Sequence, residues 1–98
     1  MISFAMFKKL DPLLHSELRL AVMSVLVESE EADFVYLKEV TQATAGNLSV
    51  QLDKLSEAGY ITIEKGFNGK KPRTVCHLTQ TGLKAFEDYV DALKSYLK

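Results

Sequence analysis

Thr44, Gly46, Asn47, Ser49, Val50, Gln51 and Lys54 lie in one short stretch and are of the types that read a DNA duplex. Asn and Gln amides can pair bidentately with adenine, a Ser hydroxyl can meet base or phosphate, and Val can meet a thymine methyl. Gly46 would let the backbone come close to phosphate at a helix N-terminus, where anions bind well. A second set follows at Lys70, Lys71, Pro72 and Arg73, within a run from Lys65 to Leu78 that holds no acid. Its cations would neutralise backbone phosphate, or in the case of Arg73 enter a minor groove. Each set also has a plainer reading. The first fits a solvated helix face, and the second a charged loop that discourages edge pairing.

Chemistry of other kinds finds little support. There is no acid–base pair in a catalytic context, no nucleophile motif and no phosphate loop, so no catalytic residue is assigned and no enzyme is expected. The single Cys76 excludes an internal disulfide and a multi-cysteine metal site. Cys76 and His77 are neighbours in a strand-like run and so face opposite sides, the wrong geometry for joint ligation. No metal and no cofactor are expected.

The elements that must position these residues follow from periodicity. Leu37 to Tyr60 reads as two short helices, about 37–43 and 45–58, with a turn around Ala43 to Gly46. Leu37 and Val40 would face the core. Leu48, Leu52 and Leu55 form one buried seam on the second helix, so Gly46, Val50, Asp53 and Lys54 point away, with Asn47, Ser49 and Gln51 on the flanks. Thr44 can cap this helix, and Gly59 can stop it in a left-handed conformation. Residues 37–59 are thus laid out as a helix-turn-helix. Tyr60–Lys65 and Thr74–Leu78 alternate as strands around a Gly- and Pro-containing loop, Gly66–Arg73, which makes 60–78 a β-hairpin.

Asp11-Pro12 reads as an N-cap and first helical residue, with a helix over about 12–29. In it, His15 is expected at the surface or as a cap, and Arg19 as an anchor to a carboxylate or helix end. Asp33–Tyr36 is either a very short strand or an extended lead-in with Phe34 buried. Thr79 caps a last helix over about 80–97. Its apolar stripe, Leu83, Phe86, Tyr89, Val90, Leu93, Tyr96 and Leu97, would serve a dimer partner, the chain's own core against the first helix, or some of each. Residues 1–10 would pack on the domain or a partner, or fray.

The chain of 98 residues suits one domain, 1–98, and 47% hydrophobic with 26% charged residues argues against disorder. Net charge is −1, whereas DNA-binding domains are often basic overall; a polarised distribution can still give one basic face. The apolar start followed by lysines is the reverse of a signal peptide, no apolar run approaches the roughly 20 residues of a membrane span, and a lone cysteine fits the cytosol. A cytoplasmic protein with no membrane partner is expected.

The run GNLSVQLDKLSEAGYI, then KGFNGKKPRT, then LTQTG, resembles the small stand-alone winged helix DNA-binding domain family, related to the MarR and ArsR regulators. The resemblance spans about residues 11–97. It implies an α+β, mostly α fold: a winged helix-turn-helix with a three-helix core, a β-hairpin wing and a long C-terminal helix. It also implies a homodimeric regulator binding double-stranded DNA, with Gly46, Asn47, Ser49 and Gln51 in the recognition helix and Lys70 to Arg73 in the wing. Gln51 stands where such proteins often have His, and Leu83 where Arg is usual. The expected function is transcriptional repression, with half-sites about 34–36 Å apart. The alternative is a winged-helix module that docks protein. An effector is not readable.

Overall fold

One Ser, one Asp and two Thr set where the helices begin. Ser16 caps α1 (Glu17–Ser29), Asp33 caps α2 (Phe34–Thr41), Thr44 caps α3 (Ala45–Glu57) and Thr79 caps α4 (Gln80–Lys94). In each, the side-chain oxygen accepts from the backbone N–H three residues on, a donor with no helical partner. Such a cap stabilises by about 1 kcal/mol. The computed structural model describes residues 6–97. Strands β1 (Glu31–Asp33), β2 (Ile61–Asn68) and β3 (Lys71–Leu78) form one antiparallel sheet in the order β1-β3-β2. The α+β winged helix-turn-helix architecture expected from the sequence is the one observed.

The core gathers one or more residues from every helix. Leu14, Val22, Met23 and Leu26 meet Leu37 of α2, the Leu48–Leu52–Leu55 seam of α3, Ile61 and Cys76 of the sheet, and Tyr89 of α4. Burying an aliphatic side chain of this size stabilises by about 1.5–3 kcal/mol. The predicted α3 seam is therefore the interior face of the helix-turn-helix. Gly59 follows α3 at φ +79, the left-handed stop expected of it.

Several boundaries differ from the sequence expectation. The first helix starts at Glu17, not at residue 12. Asp11 does cap a turn: its carboxylate accepts from Leu13 N at 2.9 Å, and its carbonyl accepts from Leu14 and His15. That turn stops because Ser16 is extended (φ −150, ψ 126) and starts a new helix. Arg19 compensates by donating from Nε to the Leu13 carbonyl, a group the broken turn leaves free. The second helix starts at Phe34 because the Asp33 carboxylate takes Tyr36 N at 2.8 Å, so only Glu31–Asp33 is strand. Val40 is 46% exposed and not a core residue.

The hairpin strands run further than expected, through most of the predicted Gly66–Arg73 loop. Gly66 pairs with Arg73, Phe67 with Pro72 and Asn68 with Lys71, leaving Gly69 and Lys70 as a two-residue turn. Gly69 has φ +67, which a glycine supplies at the first position of a type II′ hairpin turn. Pro72 is tolerated because β1 pairs with β3 only as far as Val75, so β3 is an edge strand there and needs no second ladder donor. α4 ends at Lys94. Ser95, Tyr96 and Leu97 follow as tight turns bonded to the residues three back.

Candidate nucleic-acid interface

α3 carries its polar residues outward because its leucine seam is inward. Thr44, Gly46, Asn47, Ser49, Val50 and Lys54 are exposed. A Cβ at Gly46 would meet nothing within 4 Å, so no contact within the chain requires a glycine there. The Thr44 hydroxyl oxygen takes Asn47 N at 3.2 Å as the helix cap.

Gln51 departs from the other candidates. It is half-buried, with both ends of its amide engaged. Its Oε1 accepts from Arg19 Nη1, and its Nε2 donates to Asn47 Oδ1 at 2.9 Å. Arg19 was expected to anchor to a carboxylate or helix end. Its partners are instead the Leu13 carbonyl and the Gln51 amide oxygen. Sequence reasoning missed this link. The Asn47–Gln51 spacing of four residues was a signal that the two amides could bond on one helix face, but nothing local pointed to Arg19.

β2 follows directly from α3 through Ala58–Tyr60, so the wing hangs from the end of the exposed helix. Lys70, in the turn, and Lys71, Pro72 and Arg73, in β3, are all exposed. Lys71 and Arg73 are two apart and share one strand face. Nearby acids are engaged at the base of the sheet. Asp33 lies 3.6 Å from the Arg73 guanidinium, and Glu31 and Glu64 each approach a ring nitrogen of His77 at 3.2 Å. His77 and Cys76 do face opposite ways: Cys76 is buried, and burial pushes its thiol up to about 11.

The stripe of the last helix divides. Tyr89, counted above with the dimerisation candidates, is only 4% exposed and belongs to the chain's own core, with its hydroxyl 3.0 Å from His15 Nδ1. It is corrected to a core residue because α4 packs back on α1 there. Phe86 and Leu93 pack beside that core. Leu83 and Val90 are half-buried, whereas Tyr96 and Leu97 are exposed. The N-terminal segment reaches this end. Phe7 stacks on Tyr96 with ring centroids 4.9 Å apart, Lys8 N donates to Ser95 Oγ, Lys8 Nζ pairs with Asp91, and the Tyr96 hydroxyl donates to the Lys8 carbonyl. Residues 1–5 of that segment lie outside the described residues. No described helix is long and apolar enough to cross a membrane.

An exposed polar helix capped by Thr44, followed at once by a cationic two-stranded hairpin, defines a winged helix-turn-helix. The chain belongs to the winged helix DNA-binding domain family, whose model matches residues 18–97. It is 33% identical over 76 residues to an uncharacterised protein of Methanocaldococcus jannaschii, covering 78% of this chain and 83% of that one. Its fold is similar to the transcriptional regulator homologue protein of Pyrococcus horikoshii OT3, with a TM-score of 0.81 and 27% identity over 87% of this chain and 84% of that one. It is also similar to NadR in complex with 4-hydroxyphenylacetate, with a TM-score of 0.71 and 22% identity over 88% and 63% of the two chains. The latter likeness is one of fold. The resemblance of the sequence to the winged helix DNA-binding domain family thus holds, and the chain is a DNA-binding domain of the winged-helix class.

Proposed function

We propose that this protein is a homodimeric transcriptional repressor whose α3 reads the major groove while Lys70, Lys71 and Arg73 hold backbone phosphate beside it. The observation that carries the reading is the exposed polar face of α3 leading directly into a hairpin that holds no acid from Lys65 to Leu78 and presents Lys70, Lys71 and Arg73 at its outer end. The likeness to a transcriptional regulator homologue at 27% identity supports the regulatory part. Repression follows from occupancy: two α3 helices in successive major grooves exclude other proteins from that face of the duplex. Leu83, Val90, Tyr96 and Leu97, with the exposed Met6 next to the Phe7 that stacks on Tyr96, supply the dimer seam. Gel shift against a random-sequence duplex at low salt tests the reading, and retarded complexes are the expected outcome.

A second reading is a docking module for protein. Val35, Tyr36 and Val40 of α2 are all exposed apolar residues beside the helix-turn-helix, and the net charge is −1. Absence of any shift at low salt would favour it.

A further inference from the structure

We propose that Arg19, acting through Gln51, decides which atom Asn47 presents to a base. The inference rests on α3 reading DNA. A guanidinium has donors and no acceptor. Whatever amide atom faces Arg19 must therefore be the oxygen, which turns the Gln51 carbonyl toward α1 and its NH₂ away. That NH₂ meets Asn47 one helical turn back at 2.9 Å, so the atom facing it must accept, and Asn47 turns Oδ1 inward. An amide has no preferred end by itself. A chain of two amides headed by a donor-only group has one polarity along its whole length. Asn47 is then left with Nδ2 facing outward, and that NH₂ has no hydrogen-bond partner among the described residues.

Asn47 lies in the first turn of α3 and is exposed, the part of a recognition helix that reaches base edges. An outward NH₂ meets acceptors at guanine O6 and N7 or thymine O4. Cytosine offers it a donor, and adenine sets a donor beside its one acceptor. A free Asn pairs bidentately with adenine; Asn47, with its oxygen turned to Gln51, instead selects a keto base. Arg19 is on this view a positioning residue and Asn47 the specificity-determining one. Gln51→Glu separates the role from mere packing. Glu still accepts from Arg19, but it cannot donate to Asn47. Asn47 must then turn its NH₂ inward and its oxygen outward, which favours adenine or cytosine.

The test is selection of duplexes from a random pool by the full chain, its Gln51→Glu variant and its Gln51→Met variant. Guanine or thymine is expected at one position on a fixed strand of each oriented half-site for the wild type, by roughly tenfold over adenine and cytosine on that strand. Gln51→Glu should move that one position to adenine or cytosine, and Gln51→Met should relax it. Arg19→Met should relax it as well, and Arg19→Lys, still a donor-only group, should restore it. No position at which Gln51→Glu exchanges guanine or thymine for adenine or cytosine on the same strand, or an unchanged pattern in that variant, overturns the relay. NMR of the Asn47 and Gln51 side-chain amides in the free protein reads the network directly. If it is intact there but no variant enriches any sequence, α3 does not read bases and the DNA reading itself falls.

Discussion

Tyr60 joins distant parts of the chain with one side chain and one carbonyl. Its hydroxyl donates to Asp11 Oδ2 at 2.6 Å, and its carbonyl accepts from Thr79 N. The hydrogen bond to the Asp11 carboxylate, then burial and the charge of Asp11, push the phenol from 10.0 up to about 12. A raised folded value means that the contribution is complete below about pH 10 and lost as pH rises toward 12. Stability should therefore fall over that interval, and Tyr60→Phe should flatten the fall; urea midpoints measured from pH 9 to 12 check it. An equally steep fall in the variant would contradict the assignment. Cys76 behaves similarly at its own scale. Buried and held protonated to about pH 11, it should resist a maleimide at pH 8 until the chain unfolds, since the thiolate is the reactive form. Rapid labelling of the native protein would be inconsistent with its place in the core.

The joint between α3, β2 and α4 is the element on which the wing's position depends. Thr79 caps α4 through Gly82 N, and its hydroxyl donates to the Gly59 carbonyl at 2.6 Å. A Cβ at Gly82 would stand 2.0 Å from the Tyr60 carbonyl oxygen. Helix propensity alone would make Gly82→Ala stabilising by about 1 kcal/mol. The backbone clash opposes this by about 1–3 kcal/mol or more, as overpacking does, so net destabilisation is expected and thermal denaturation measures it. A raised Tm would show that α4 can withdraw from Tyr60. Local signals made the caps at Thr44 and Thr79, the stop at Gly59 and the α3 leucine seam legible in the sequence, because each depends on residues within a turn or two. The start of α1 was misplaced because Asp11 and Ser16 are both good caps a few residues apart; Asp11 caps only a short turn and the extended Ser16 starts the helix. The length of the wing strands depended on pairing partners. Val40 was misplaced because helical spacing tells which residues share a face and not how wide the buried arc is.

For the whole molecule, net charge obscured the functional reading that the distribution of charge supports. The acid near the wing is paired with Arg73 and His77 at its base, while Lys70 and Lys71 at the tip have no ion pair among the described residues. The recognition set was legible as residue types on one helix face. Its internal wiring was not, because Arg19 and Gln51 are separated by 32 residues. Tyr89 was drawn into the chain's own core, which narrows the expected dimer seam to Leu83, Val90, Tyr96 and Leu97 and the segment that Phe7 anchors against Tyr96. Sedimentation should give a dimer, and Leu97→Glu should shift it toward monomer; a monomer at high concentration in the wild type would leave the two-helix mode of binding without a basis.

The central claim, that the wing holds phosphate while α3 reads the duplex, is tested most directly by the salt dependence of duplex affinity for the wild type and for Lys71→Ala/Arg73→Ala. Each lost phosphate contact should reduce the steepness of log K against log salt by about 1. The double variant should therefore bind more weakly on every sequence, with a slope shallower by about 2 for each wing engaged. Unchanged affinity and an unchanged slope would contradict the claim.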